Sequence, residues 1–363
     1  MQIALGPAAA HDDAPALVTW RTQLPLLGAG LALVLAVALV AVSWGTVHIS
    51  PVTTAGILLD HLPLIDTGAY SRSEDAIIWD IRAPRVVLAG LVGAALALSG
   101  AAYQAVFRNP LAEPYLLGVA AGASVGATLV LISPVAVTAW AVSPVPPAAF
   151  AGAVIAVALA YSLARVNGAV PAASLILAGV AISSVGTSVV TYLMLTFNTR
   201  TLAILNWVLG GFNTANWTDV AIATPYLVVA ATVLLPHARV LNVMQLDEDQ
   251  ARQLGVHVER TRLIVLATAS LATAAAVSVS GLIGFVGLVV PHAVRLLFGP
   301  DYRRLFPLSA LGGAAFLIVA DMAARSIDPA FEVPIGVITA IVGAPFFLLL
   351  LRRAGRPAFA LAP

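Results

Sequence analysis

The sequence predicts an all-α polytopic membrane protein with about ten transmembrane helices, because of its composition and the apolar stretches that recur along it. Of its 363 residues, 60% are apolar and only 10% are charged, and the mean hydropathy is +0.98. A soluble domain is usually about a quarter charged and under half apolar. The composition therefore excludes a water-soluble globular enzyme and an intrinsically disordered chain.

Ten apolar stretches are candidate membrane spans, because a helix of about 20 apolar residues crosses the ~30 Å hydrocarbon core. The third and eighth are short for a full crossing, and irregular backbone beside them is tolerated only if it is buried in protein or lines a cavity. In chain order the stretches are Leu24–Trp44, Val86–Val106, Leu116–Ile132, Pro147–Ala164, Leu175–Leu195, Val220–Leu235, Leu263–Ser280, Phe285–Leu297, Leu305–Ala323 and Pro334–Leu351.

The distribution of arginine predicts the orientation of these spans. All 18 basic residues are arginine, and thirteen of them fall in one set of connections while five fall in the other. Because cytoplasmic loops carry the excess of basic residues, the richer set is predicted to be cytoplasmic, together with both termini. The long segment Gly45–Arg85 is then outside, and the five outer arginines are Arg72, Arg82, Arg85, Arg200 and Arg325.

The predicted organisation is a cytoplasmic N-terminal tail, one transmembrane domain and a cytoplasmic C-terminal tail, at residues 1–23, 24–355 and 356–363. A shift of 181 residues gives eight identities in 25 positions and aligns Gly100 with Gly281. These matches suggest repeat halves at about 86–200 and 263–351, inverted relative to each other as in many transporters. The alternative is chance similarity between segments rich in alanine, glycine and leucine.

Lysine and cysteine are both missing from the sequence. Without lysine there is no Schiff-base chemistry and no phosphate loop of the Gly-Lys-Ser/Thr type, so another polypeptide must hydrolyse any ATP that is used. Without cysteine there are no disulfides, iron–sulfur clusters or thiolate zinc sites. A net charge of +1 suggests no nucleic-acid partner.

The cytoplasmic segment 237–262 is the most polar one, with 8 of the 35 charges in 26 residues. Within it, Leu246–Gly255 is predicted to form one short helix, capped by Asp247 and Gln250 and stopped by a left-handed Gly255. This helix is either a solvated surface feature or a docking helix for a cytoplasmic partner. The candidate contact residues are Asp247, Glu248, Arg252, Gln253, Leu254 and Gly255.

The connection Gln104–Gly118 contains two prolines four residues apart, which break helical continuity. Because Asn109 and Glu113 are costly at membrane depth, this connection is predicted to be either a cytoplasmic turn or a buried turn with satisfied polar groups. Its motif residues are Asn109, Pro110, Glu113, Pro114 and Gly118.

The glycine-rich segment Gly281–Arg295 allows close backbone approach; its motif residues are Gly284, Gly287, Pro291, His292 and Arg295. His292 suggests a metal or proton-relay role, but no second histidine or carboxylate lies three or four residues away, which favours helix packing. Asp321 is an intramembrane ionisable group and hence a functional candidate. Arg325 lies four residues further on, so an intrahelical ion pair is the plainer explanation.

The fifth stretch carries a row of hydroxyl groups at helical spacing. They either line an aqueous path or donate hydrogen bonds to backbone carbonyls. No ring of charges accompanies them, which argues against a selective ion channel and suits a bulky substrate. The residues are Ser183, Ser184, Thr187, Ser188 and Thr191.

Together these motifs resemble the permease family of type II ABC importers, which take up vitamin B12, haem and iron–siderophore chelates. The resemblance covers about residues 24–355. It is carried, in family order, by Ile81–Arg85, Leu98–Gly100, Gln104, Arg108–Gly118, Ala251–Gly255, Gly284–Arg295, Ala320–Asp321, Arg325, Glu332–Ala340 (with Glu332 and Pro334) and Gly343–Phe346.

The resemblance implies a homodimer in a bacterial or archaeal cytoplasmic membrane, with the translocation pathway on the dimer axis. It also implies two cytoplasmic subunits that bind ATP and Mg²⁺, an extracytoplasmic substrate-binding protein, and no cofactor on this chain. Segment Asp247–Gly255 would contact the ATPase. Arg82, Arg85 and Arg325 would pair with carboxylates of the binding protein, as exposed ion pairs of ~0.2–1 kcal/mol each. The pathway residues would be Ser184, Thr187, Ser188 and Thr191.

Two other functions are alternatives to an ATP-driven importer: an ion-coupled secondary transporter and an intramembrane enzyme. An ion-coupled secondary transporter of a bulky solute would use His292 and Asp321. An intramembrane enzyme would need a nucleophile or paired ligands, and the sequence has no HExxH motif, no cysteine and no clustered pair of carboxylates in a span.

Overall fold

The computed structural model describes residues 20–45, 47–61, 68, 70–133, 143–165, 170–246, 248–327 and 332–354. Residues 1–19 and 355–363, in the predicted tails, and Asp247 in the predicted docking helix lie outside the described residues. The described chain is helical, with α1 (Trp20–Ser43), α2 (Pro51–Asp60), α3 (Arg72–Asp75), α4 (Ala83–Phe107), α5 (Val119–Ile132), α6 (Val145–Ala164), α7 (Ala172–Thr196), α8 (Thr201–Leu209), α9 (Trp217–Val243), α10 (Glu248–Gln253), α11 (Val258–Ser280), α12 (Val286–Phe298), α13 (Tyr302–Ala324) and α14 (Ile335–Ala354).

The ten predicted spans are confirmed as helices: each coincides with one of α1, α4, α5, α6, α7, α9, α11, α12, α13 and α14. Among the described residues, seven helices are long and apolar enough to cross a membrane, and three apolar helices are shorter. The third and eighth stretches, expected to be short, are helices of 14 and 13 residues. The described chain therefore has the predicted all-α polytopic architecture.

The segment Gly45–Arg85 contains more helix than its polar sequence indicated. Besides α2, a π-helical stretch at Ala76–Arg82 joins α3 to α4, so that one helical unit runs from Arg72 to Phe107 over 36 residues. It begins at a capping box in which Ser71 and Glu74 each accept a backbone N–H bond from the other. The first turns of this unit are polar and lie before the apolar stretch. A search for apolar stretches therefore does not detect that they are helical.

Helix α4 is the central element of the fold. It packs against α13, α11, α12 and α9, and most of its apolar window is buried. A Cβ added to Gly93 would overlap the carbonyl group of Gly313, so only glycine allows α4 and α13 to approach this closely. Backbone contact through small residues is typical of helix packing in membranes.

The helix order supports an internal duplication but not the register predicted from sequence. Helices α4 to α7 contain 25, 14, 20 and 25 residues, and α11 to α14 contain 23, 13, 23 and 20. Helix α4 packs on α13 as α11 packs on α6. The 181-residue register is wrong, because it aligns Gly100, inside α4, with Gly281, which ends α11. The inverted orientation of the halves stays a prediction.

Candidate functional site

Helix α7 exposes the hydroxyl face that its sequence predicted. Ser184, Thr187, Ser188 and Thr191 are all exposed. Three of them, Ser184, Ser188 and Thr191, also donate to the carbonyl group four residues earlier, at 2.8–3.0 Å. The two alternatives are thus compatible: the donors are satisfied by the backbone, while the oxygen atoms stay accessible.

An open cavity of about 480 Å³ lies beside this face. Hydroxyl groups line one side of the cavity, and the turn that precedes α5 lines the other. The lining residues are Glu113, Tyr115, Leu116, Val180, Ser183, Ser184 and Thr187. Glu113 and Tyr115 are therefore cavity residues, a placement that their motif did not predict because they lie about 70 residues from α7 in sequence.

Glu113 and Tyr115 join two distant connections at the cavity. The Glu113 carboxylate accepts the backbone N–H of Phe285 at 3.0 Å, and the Tyr115 hydroxyl donates to the Ile283 carbonyl, also at 3.0 Å. Burial raises the pKa of the Glu113 carboxyl group, and the hydrogen bond from Phe285 partly offsets the rise. Glu113 is half-buried and its carboxylate is hydrogen-bonded, as a turn with satisfied polar groups requires, whereas Asn109 is exposed.

The segment that Glu113 holds has a backbone that most side chains avoid. Phe285 adopts a left-handed conformation, with φ +67°, immediately before α12. Such conformations are costly outside glycine and persist only where the surrounding structure fixes them. At Gly287 an added Cβ would lie 2.8 Å from the Leu96 carbonyl oxygen, so the close approach of α12 to α4 requires glycine.

His292 lies on α12 and packs against an aromatic ring. Its ring centroid is 6.1 Å from that of Phe346, in an edge-on arrangement. This contact supports the packing interpretation rather than a metal or proton-relay role. One turn further along α12, Arg295 donates to the Tyr302 hydroxyl at 3.1 Å and so links this helix to α13.

Glu248 holds helix α10 to the rest of the chain. Its carboxylate lies 2.6 Å from Nη2 of Arg262, 3.4 Å from Nη2 of Arg108 and 3.6 Å from Nη2 of Arg252. Arg262 also pairs with Glu259 at 2.9 Å. We call these five residues the Glu248 cluster. The sequence did not predict that Arg108 and Arg262 would anchor the helix, because Arg108 is 140 residues from Glu248 and Arg262 lies on a different helix.

The free side of α10 faces solvent. Arg252 is 55% exposed and Leu254 is 65% exposed, and Gln253 between them is exposed as well. Ala251 is fully buried and anchors the opposite side. Gly255 ends the helix in the predicted left-handed conformation, with φ +81°.

Two of the predicted docking arginines, Arg82 and Arg325, lie at the end of α1. Arg82 donates to the carbonyls of Val42, Ser43 and Val47 at 2.7–3.1 Å. Arg325 donates to the carbonyl of Trp44 at 2.8 Å and to that of Ala41. These arginines satisfy carbonyl groups at the C-terminal end of α1 and place positive charge at the negative end of its dipole.

The third arginine, Arg85, pairs with two carboxylates. Its Nε and Nη2 atoms donate to Asp321 at 2.9–3.2 Å. Its Nη1 and Nη2 atoms also donate to the two oxygens of Glu332 at 3.0 Å each. The side chain of Asp321 is 1% exposed and that of Glu332 is 39% exposed. Together with Arg82 and Arg325, these residues form what we call the Asp321 cluster.

The expectation that these arginines would form exposed ion pairs is wrong. Arg82 is 7% exposed, and the side chains of Arg85 and Arg325 are 11% and 10% exposed. Their donors are engaged within the chain because α1, α4 and α13 meet around them. The Asp321–Arg325 ion pair is confirmed at 3.5 Å, but Asp321 makes its shortest bonds to Arg85. A role of the arginines in docking stays a prediction.

The chain matches known transport proteins over most of its length. The model of the FecCD transport family matches residues 33–353. The chain is 46% identical to the cobalamin import system permease protein BtuC of Halobacterium salinarum over 309 residues, which is 84% of this chain and 82% of that protein. It is 42% identical to the Fe(3+) dicitrate transport system permease protein FecD of Escherichia coli over 281 residues, 76% of this chain and 85% of that one.

A solved structure has the same fold. It shows an inward-facing conformation of a metal-chelate type ABC transporter, and superposition gives a TM-score of 0.77 at 29% sequence identity. The superposed region covers 91% of this chain and 99% of that one.

Proposed function

Because this chain belongs to the FecCD transport family and is a permease subunit of an ABC importer, we propose that two copies enclose a pathway for a bulky metal chelate. The observation that carries this proposal is the exposed hydroxyl face of α7 beside a cavity of about 480 Å³. Polar side chains within a membrane face a protein interior or a water-filled cavity. A second copy of the chain would cover this face and make it the wall of a shared pathway.

Two cytoplasmic ATP-binding subunits would drive transport by docking at α10. The chain has no lysine and so no phosphate-binding lysine loop, and ATP and Mg²⁺ would be bound by these subunits rather than by this chain. The exposed residues Arg252, Gln253 and Leu254 would form the contact, since the Glu248 cluster ties α10 to α11 and to the end of α4.

The Asp321 cluster lies at the opposite end of α4 from the Glu248 cluster. Arg85 is in the first turn of α4, and Arg108 ends that helix. At 1.5 Å per residue the two are separated by ~35 Å, enough to cross the hydrocarbon core. We propose that an extracytoplasmic binding protein docks at the Asp321 cluster, and that both termini are in the cytoplasm of a bacterial or archaeal cell.

Cobalamin is the first substrate to test. One relative, 46% identical, is a cobalamin permease, and another, 42% identical, is a permease for iron dicitrate; haem and siderophore chelates are the other members of the proposed substrate class. An ion-coupled transporter is disfavoured, because Asp321 is held by two arginines and His292 packs against Phe346.

Uptake by proteoliposomes tests this function. They would contain the permease, its ATPase and the binding protein encoded nearest its gene. We expect labelled cobalamin to accumulate only with ATP, and Thr191→Trp to abolish accumulation by filling the pathway. Val185→Trp is the matched control, because Val185 is exposed but apolar and lies about a third of a turn from the hydroxyl face.

Two results would contradict the proposal. If the Thr191→Trp variant accumulates cobalamin as well as the Val185→Trp variant does, this face of α7 does not line the pathway. Uptake that continues without the ATPase and stops with a proton uncoupler would favour secondary transport. Accumulation of haem or iron dicitrate in place of cobalamin would keep the transporter class and change the substrate.

A further inference from the structure

We infer that Glu332 competes with the binding protein for Arg85. A carboxylate of the binding protein must displace Glu332 from Arg85 in order to dock. The inference rests on the proposed function of the Asp321 cluster as the docking site. It identifies which arginine exchanges its partner, and it gives Glu332 the role of a latch.

The three arginines differ in what holds them. Arg82 and Arg325 donate to backbone carbonyls of α1 and its end, which cannot leave without unwinding the chain there. Among the described residues, Arg85 donates only to carboxylates, and one of these, Asp321, is buried. Within the same part of the chain, Glu332 is the only partner of these arginines that is both a side chain and substantially exposed.

The geometry of the Arg85–Glu332 pair suits an exchange. Nη1 and Nη2 of Arg85 each donate to one oxygen of Glu332 at 3.0 Å, in a parallel fork. Any carboxylate can occupy this fork in the same way, since two parallel N–H donors match its two oxygens. Asp321 would keep its bonds to Nε, so Arg85 would stay in place while its outer partner changed.

The charge of the cluster favours an incoming anion. Three arginines and two carboxylates leave one positive charge in excess among its five residues. Glu332 already contacts solvent, so its release into water costs little compared with the release of Asp321. A carboxylate on the binding protein is therefore the chemistry that this surface would recognise.

Glu332 also lies close to the start of α14. Glu332 lies three residues before the start of α14, where the Val333 N–H donates to the Ala324 carbonyl and the Ile335 N–H donates to the Gly210 carbonyl, each at 3.2 Å. A second cavity, of about 630 Å³, lies further along α14 and is lined by Pro345, Leu348, Leu349 and Arg352. The two backbone bonds do not involve the Glu332 side chain, so its release from Arg85 would leave the start of α14 in place.

Docking affinity measures the competition. The permease–ATPase complex would be placed in lipid nanodiscs, and the dissociation constant of the purified binding protein measured by surface plasmon resonance. We expect Glu332→Gln to tighten docking about three- to tenfold, with a gain that shrinks as salt is raised. Glu332→Ala should tighten it at least as much, because no hydrogen-bond acceptor remains.

Glu74→Gln is the matched control. It also removes one negative charge, from the helical unit that carries Arg85, but Glu74 is bonded within the cap of α3 and not to an arginine among the described contacts. We expect this variant to bind like the wild type, which separates competition at Arg85 from a general loss of repulsion. Arg85→Gln should weaken docking.

The outcomes separate the latch from the docking site itself. If Arg85→Gln weakens docking but both Glu332 variants bind no tighter than Glu74→Gln, the latch is wrong and the docking proposal survives. If Arg85→Gln leaves docking unchanged and so does charge reversal at Arg82 and Arg325, the docking proposal falls and the latch falls with it.

Discussion

At one end of α4 the Asp321 cluster is buried except for Glu332, whereas at the other end most residues of the Glu248 cluster are exposed to solvent. Both consist of arginines and carboxylates from several elements. Asp321 is 1% exposed, whereas Glu248 is 34% exposed and its partner Arg252 is 55% exposed. The difference comes from what surrounds each cluster: three spans converge on Asp321, while Glu248 lies on a short helix outside the bundle. The same chemistry thus forms a mostly buried cluster among the spans at one end and a more exposed cluster beside a short helix at the other.

The largest effect on stability is expected for Asp321→Asn. The substitution leaves Arg85 and Arg325 without their buried carboxylate, and loss of one partner of a buried ion pair costs about 3–5 kcal/mol. We expect a large fall in the thermal unfolding midpoint in detergent, or loss of folded protein. Glu259→Gln is the control from the other cluster, because Glu259 is 49% exposed and pairs with Arg262. Equal thermal unfolding midpoints for the two variants would show that the two clusters contribute equally to stability.

An intermediate effect on stability is expected for Glu248→Gln. Glu248 is the shared partner of three arginines, but its exposure limits the loss of stability to about 1 kcal/mol. Transport should fall more than stability does, because α10 would no longer be fixed to α11. The measurement is ATP hydrolysis by the assembled transporter alongside thermal unfolding.

Asp249→Asn is the control for this variant, since Asp249 is 80% exposed and pairs only with Arg252 among the ion pairs of the described residues. If both variants hydrolyse ATP at the wild-type rate, Glu248 does not position a coupling contact.

The smallest effect on stability is expected for Arg252→Glu. Arg252 makes two long ion pairs within α10, at 3.5 and 3.6 Å, and such exposed pairs contribute about 0–1 kcal/mol. Binding of the ATPase should be lost while membrane insertion is unchanged, as tested by co-purification from solubilised membranes. Arg260→Glu carries the same charge reversal in the same polar segment, outside α10, and should retain the ATPase. Full co-purification with the Arg252 variant would argue against the docking role.

The sequence predicted the helices better than it predicted the partners of its charged residues. Every apolar stretch corresponds to a helix, because the burial of a long apolar run depends on the run itself. The stop at Gly255 and the pair Asp321–Arg325 were also predictable, since both are local. The bond from Arg85 to Asp321 was not, because it joins residues 236 positions apart, and no periodic pattern encodes such a distance.

The register of the repeat failed for a related reason. Identities at a fixed shift assume that helices end at matching positions in both halves. With this shift, however, the end of α4 at Phe107 falls beyond the end of α11 at Ser280. The lengths and packing order of the helices are those that a duplication would give, whereas small residues recur in any closely packed membrane helix and match by chance.

By itself the sequence determined the class of the protein, the positions of its spans and the family to which it belongs, because hydropathy and long motifs are properties of contiguous residues. Only the tertiary structure decided which of the described arginines are buried and which are exposed. Burial and ion pairing depend on the elements that meet around a side chain, and α1, α4 and α13 meet at Arg85 from distant parts of the chain. The tertiary structure likewise placed Glu113 beside α7, since only folding brings that turn to the hydroxyl face.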